Sequence, residues 1–138
     1  MPILSHLLAL VDQVRPPLPV HAHCDLPCGV YDPAQARIEA ESIKGIIDKY
    51  NASDDESFRQ RAIQIKEHRA DLVKHHLWVL WTDYFKPPHL EQFPNLHELF
   101  WNATKAAGAM KQTTDPAAAE KLLASIDEIA QIFWKTKG

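Results

Sequence analysis

From Pro33 to the C-terminus the chain carries apolar residues at helical spacing in run after run and at strand spacing nowhere, which confines it to an all-α fold. Ile43, Ile46, Ile47 and Tyr50 fall at i, i+3, i+4 and i+7, so they line one face of a helix from about Pro33 to Tyr50. The stretch Ser53 to Glu56 reads as a capping box, with the Ser53 hydroxyl accepting from the Glu56 N–H and the Glu56 carboxylate reaching back, and it opens a second helix. That helix carries the stripe Phe58, Ala62, Ile65, Leu72, His76 and Val79 until Pro87 and Pro88, which cannot donate to the helix ladder, end it. A third face is Leu96, Leu99, Phe100, Ala103, Ala107 and Met110, opened near Pro94. Thr114 and Asp115 cap a fourth helix with Pro116 in its first turn, and its face is Ala119, Leu122, Leu123, Ile126, Ile129, Ala130 and Phe133. Connections of roughly 3 to 8 residues favour antiparallel neighbours, and the expected architecture is an up-down-up-down four-helix bundle. Trp78, Trp81, Trp101 and Trp134 are expected to fill the core or subunit contacts.

A chain of 138 residues is about one domain. Its formal net charge of −3, with both signs mixed, offers no basic face for nucleic acid and no Lys/Arg cluster for an anionic membrane, so a small substrate is expected. Residues 1–22 differ from the rest: a short apolar run from Ile3 to Val11 and then the proline-rich Arg15 to Val20. The run is too short to span a bilayer, and Met1 to Ser5 lacks the Lys or Arg of a secretory start. Val20 and Ala22 fit a small-residue cleavage pattern before His23, which keeps export open. Residues 1–22 are read as a propeptide, residues 23–138 as the bundle with an N-terminal hook at 23–31, and the expected location is the cytoplasm.

The only cysteines, Cys24 and Cys28, stand four apart directly behind His23, in a segment rich in Pro and Gly. Two thiols are far too few for a disulfide-stapled scaffold. Thiolates select Cu(I), Zn, Ni or iron–sulfur chemistry, yet two thiolates and one histidine this close are too few for a tetrahedral zinc site. Cleavage after Ala22 would give His23 a free α-amine. That amine, the Cys24 amide nitrogen and the Cys24 thiolate form two fused five-membered chelate rings, and Cys28 can close the fourth corner if Asp25-Leu26-Pro27 turns back, with Gly29 assisting. The set is square-planar N2S2, a geometry of Ni(II) or Cu(II). The His23 imidazole remains as an axial donor on one side, and the other face stays open.

These residues carry a resemblance: HCDLPCGVYDP, residues 23–33, resembles the nickel hook of the nickel-containing superoxide dismutases, and the DYFKPPH run at Asp83 to His89 agrees with it. The resemblance covers residues 23–138. It implies one nickel ion per subunit, held by His23, Cys24 and Cys28, and dismutation of superoxide to dioxygen and hydrogen peroxide by Ni(II)/Ni(III) cycling. It further implies that Tyr31 stands over the open axial face with Asp25 close by, that the Leu26–Pro27 bond is cis, and that Glu39 on the first helix and Arg69 on the second hold the axial imidazole in place. It implies a homohexamer and a maturation protease that cleaves after Ala22.

Two other classes compete. A non-catalytic nickel- or copper-binding helical bundle would share the ligands but have no use for Tyr31. A dithiol redox protein would expect a C-x-x-C motif near a βαβ pattern, whereas this chain has C-x-x-x-C ahead of helices. Arg69 and Glu39 taken alone are an ordinary interhelical ion pair. Lys74-His75-His76 suggests a second metal site, but adjacent histidines point to different sides of a helix, so His68, His75 and His76 read as packing or surface residues.

Overall fold

The computed structural model describes residues 28–138. Its elements are α1 (Ala34–Asn51), α2 (Glu56–Val79), a π-helical turn (Leu80–Tyr84), a short α3 (Pro87–Gln92), α4 (Leu96–Ala109) and α5 (Pro116–Lys137). The four long helices α1, α2, α4 and α5 are the expected bundle. α1 packs on α2 and α5, and α4 packs on the same two, so the helices form a closed square. Polar contacts fix the antiparallel sense. Glu39 and Tyr50 of α1 meet Arg69 and Arg59 of α2, while Arg37 reaches Asp127 in the middle of α5 and Asn51 the Thr114 carbonyl just before it.

The core is a continuous column of Ala40, Ile43, Ile47, Val73, Leu77, Phe100, Ala103, Leu122, Ile126, Ile129 and Phe133, all essentially inaccessible to water. The stripes expected for α1, α4 and α5 point inward as their spacing requires. That of α2 is rotated. Phe58 and Ile65 are exposed, and the buried line runs Ala62, Lys66, Ala70, Val73, Leu77 and Leu80. A lysine interrupts the apolar pattern on the inward face, so the periodicity pointed one position aside.

Lys66 is only 2 % exposed. Its ammonium donates to the carbonyls of Met110 and Thr113, at the C-terminal end of α4, where four backbone acceptors lack helical partners and the helix dipole favours a cation. Burial pushes its pKa below the ordinary 10.5.

Helix starts follow local chemistry. Asp115 caps α5 through the Ala117 N–H at 2.9 Å, with Pro116 at the first position, as expected. The cap of α2 is Asp55, accepting from Ser57 and Phe58, and not Ser53, whose hydroxyl accepts from the Asp55 N–H two residues before the helix. The side chain one position before the helix has the shorter reach to its first free N–H groups. Pro87 and Pro88 end the α2 region but also begin α3, where a proline in the first turn loses no hydrogen bond. Trp78, Trp101 and Trp134 are not core residues: they are 46 %, 58 % and 54 % exposed, and only Trp81 packs partly against the core.

Candidate metal centre

The described part of the hook begins at Cys28, which is exposed and receives the Val30 N–H at its Sγ, 3.5 Å away. An N–H directed at sulfur stabilises the thiolate over the thiol. Gly29 has φ +71°, the left-handed region in which a side chain is strained, and this bends the chain immediately after Cys28. The bend is tied to the far end of the bundle, because the Lys137 ammonium, which lies over the Phe133 ring, donates to the Gly29 carbonyl at 3.2 Å. Asp32 then accepts from the Ala34 N–H at 2.9 Å and leads into α1.

Tyr31 is half-buried and packs on the core. Its ring lies 5.5 Å from that of Tyr84, tilted by 57°. The sequence reading did not single out Tyr84, although it lies inside the DYFKPPH run. What places it is the π turn, closed by the Phe85 N–H on the Leu80 carbonyl at 3.0 Å. The extra residue in that turn rotates the chain so that Leu80, Tyr84 and Phe85 all face the core side. Tyr84 also packs on Phe133 at 4.3 Å and stacks with His89 at 5.8 Å. The Thr136 hydroxyl spends its one hydrogen on the Phe133 carbonyl at 2.7 Å, so at 2.9 Å it accepts from the Tyr84 phenol.

Glu39, in the second turn of α1, and Arg69 of α2 do meet: one guanidinium nitrogen donates to both carboxylate oxygens, at 3.2 and 2.9 Å. The Glu39 side chain is 15 % exposed and that of Arg69 38 %. The Arg69 Nε–H is buried and has no acceptor among the described residues. His76, one heptad on from Arg69 along α2, is held below the ordinary imidazole pKa by burial and by His75, with Glu39 opposing the shift. Among the described residues no group of three or more His, Cys, Asp or Glu side chains is placed to hold a metal ion. His23, Cys24, Asp25 and the Leu26–Pro27 bond lie outside the described residues.

The sequence profile of the nickel-containing superoxide dismutases matches residues 18–137. The chain belongs to that family. It is 62 % identical over 135 residues to the nickel superoxide dismutase of Streptomyces seoulensis and 57 % identical over 135 residues to that of Streptomyces coelicolor, with 98 % of both chains covered in each case. Its fold superposes on the native structure of a nickel superoxide dismutase with a TM-score of 0.82 at 58 % identity, over 84 % of this chain and all of that one. A structure whose nickel ligation corresponds to the oxidised state gives 0.81 at 63 % identity, over 83 % of this chain and 98 % of that one.

The chain is therefore a nickel-dependent oxidoreductase that converts superoxide to dioxygen and hydrogen peroxide by cycling between Ni(II) and Ni(III). The non-catalytic metal-binding bundle is not favoured, and neither is the dithiol protein. The π turn is the signal that sequence periodicity does not carry, and it is what brings Tyr84 behind Tyr31.

Proposed function

We propose that the dismutase centre is the hook at residues 23–31 after removal of residues 1–22, with one nickel held by the His23 amine, the Cys24 amide nitrogen and thiolate, and the Cys28 thiolate. The observation that carries this reading is the conformation at Cys28 and Gly29: an exposed thiol that receives an N–H, followed by a left-handed glycine clamped by Lys137. The donor chemistry would fit nickel, since thiolates are soft donors that select such a metal ion. Nickel, when bound, supplies the one-electron redox change. The protein's own groups do the rest.

Glu39 and Arg69 would hold the His23 imidazole. An imidazole that ligates through one nitrogen presents the other as a donor, and Glu39, mostly buried and already oriented by Arg69, is a suitable acceptor. The unpartnered Arg69 Nε–H points to a further group packed against this pair. Tyr31, backed by Tyr84, would position superoxide or water at the nickel, with Asp25 beside it. Arg69 and exposed Lys86 are the cations that would draw an anionic substrate toward a chain of net negative charge.

Cleavage after Ala22 by a maturation protease is supported by two coverages. The relatives from Streptomyces align over 98 % of this chain, leader included, whereas the native nickel superoxide dismutase structure accounts for its whole length with 84 % of it, the share that residues 23–138 represent. Assembly as a homohexamer is supported by large apolar side chains that one copy leaves in water, Val30, Ile38 and Ile65 among them. The proposed location is the cytoplasm.

The deciding experiment compares the full-length chain with one that starts at His23. Both are loaded with nickel under reducing conditions, verified by intact mass, and assayed for superoxide consumption and for the electron paramagnetic resonance of Ni(III). Only the chain starting at His23 should be active, because in the precursor the His23 nitrogen is an amide and the amine donor does not exist. Equal activity from an intact precursor removes the α-amine from the ligand set.

A further inference from the structure

A line of aromatic rings leads away from the hook and belongs to no step of dismutation. Tyr31 meets Tyr84 at 5.5 Å between ring centroids, Tyr84 meets Phe133 at 4.3 Å, and Phe133 meets Trp134 edge-on at 4.9 Å. The line ends in water, since Trp134 is 54 % exposed. Trp78 and Trp101 are exposed to a similar degree, 46 % and 58 %, but neither makes a ring contact with another aromatic residue among the described ones. One surface tryptophan out of three is thus wired to the site.

We propose that Tyr31, Tyr84, Phe133 and Trp134 form an outlet that carries oxidising equivalents from the metal centre to the surface and so spares the Cys24 and Cys28 thiolates. The proposal rests on the reading that Tyr31 stands beside the metal. Its need follows from the reaction: the product is peroxide, and thiolates exposed to peroxide and its radicals climb irreversibly to sulfinic and sulfonic acids. Phenols and indoles are the other side chains that yield one electron to such oxidants.

The steps balance. An oxygen radical of the hydroxyl class, the one-electron reduction product of peroxide, takes a hydrogen atom from the Tyr31 phenol and leaves as water. The Tyr31 phenoxyl radical then takes an electron from Tyr84 and a proton from water, while Tyr84, half-buried, releases its phenolic proton to water. The Tyr84 radical takes an electron from the Trp134 indole across the Phe133 ring and recovers a proton by the same route. The indole N–H proton passes to water and leaves a neutral indolyl radical. Superoxide, the enzyme's own substrate, couples with that radical and gains one proton to give a hydroperoxide, so Trp134 acquires two oxygen atoms.

The test is to drive the nickel-loaded enzyme to partial inactivation with hydrogen peroxide while a superoxide source is running and map oxidised residues by peptide mass spectrometry, with nickel content and dismutase activity measured on each preparation before the peroxide is added. The wild type should accumulate two-oxygen products at Trp134 several-fold above Trp78 and Trp101. Tyr84→Phe keeps the packing but cannot form the relay radical, and should bring Trp134 down to the level of the other two. Trp134→Phe should keep its nickel and initial activity yet lose Cys28 to sulfinic acid several-fold faster. Equal damage at the three tryptophans, an unchanged Trp134 yield in Tyr84→Phe, or unchanged Cys28 survival in Trp134→Phe each overturns the outlet. Failure of the outlet leaves the hook assignment standing, because that assignment is judged separately, by the comparison of the precursor with the chain starting at His23 and by ligand variants.

Discussion

Replacing Lys66 by methionine isolates a polar contact on which the bundle depends. Methionine nearly matches the lysine stem, so the apolar packing along α2 is kept and no cavity opens. What goes is the ammonium between the Met110 and Thr113 carbonyls. Hydrogen bonds to a charged group are worth about 1.5–3 kcal/mol each. Met110 is 1 % exposed, so its carbonyl loses its donor with no water to replace it, whereas Thr113 is half-exposed and its carbonyl can rehydrate. The expected loss is thus about 2–3 kcal/mol, one charged bond forfeited and the other largely exchanged. With a urea slope of about 1–3 kcal/mol per molar, the midpoint should fall by about 0.7–3 M. Urea unfolding followed by circular dichroism, at matched protein concentration, measures it.

The pH dependence gives an independent reading of the same residue. The folded-state pKa of Lys66 lies below 10.5, so between the two values the unfolded chain binds more protons, and stability from this group rises with pH through that window. Wild type should gain on Lys66→Met as the buffer moves from neutral toward pH 10.5. A variant as stable as wild type at neutral pH, or a gap that narrows on the alkaline side, refutes the argument.

Cys28→Ser should abolish both nickel binding by metal analysis and dismutase activity while leaving helical dichroism intact, because Cys28 is exposed and outside the core. Glu39→Gln removes the charge that Arg69 orients, and should lower activity or nickel affinity by about 10–100-fold with the bundle still folded; unchanged kinetics would separate the pair from the site. The second-order rate constant for superoxide should fall as ionic strength rises if Arg69 and Lys86 steer the anion, and a flat profile counts against them.

The site was legible in the sequence where its chemistry is local. A chelate built from an α-amine, the next amide and two cysteines four apart needs no fold to be recognised, and a cap such as Asp115-Pro116 is decided by atoms two residues away. The helical faces of α1, α4 and α5 were equally legible, because each buries one uninterrupted apolar stripe. Packing between elements decided the rest. A lysine on the inward face of α2 reads as a surface residue until the C-terminal carbonyls of α4 are set beside it, and their unpaired acceptors are what make its burial tolerable. Choosing Asp55 over Ser53 as the cap depended on where the α1–α2 turn delivers the first free N–H groups. Tyr84 behind Tyr31 required a one-residue π insertion whose effect is to rotate side chains across a helix interface. Which tryptophan reaches water along a line of rings was a tertiary outcome too, since ring contacts join residues from the hook, the π turn and α5 that no short window of sequence contains.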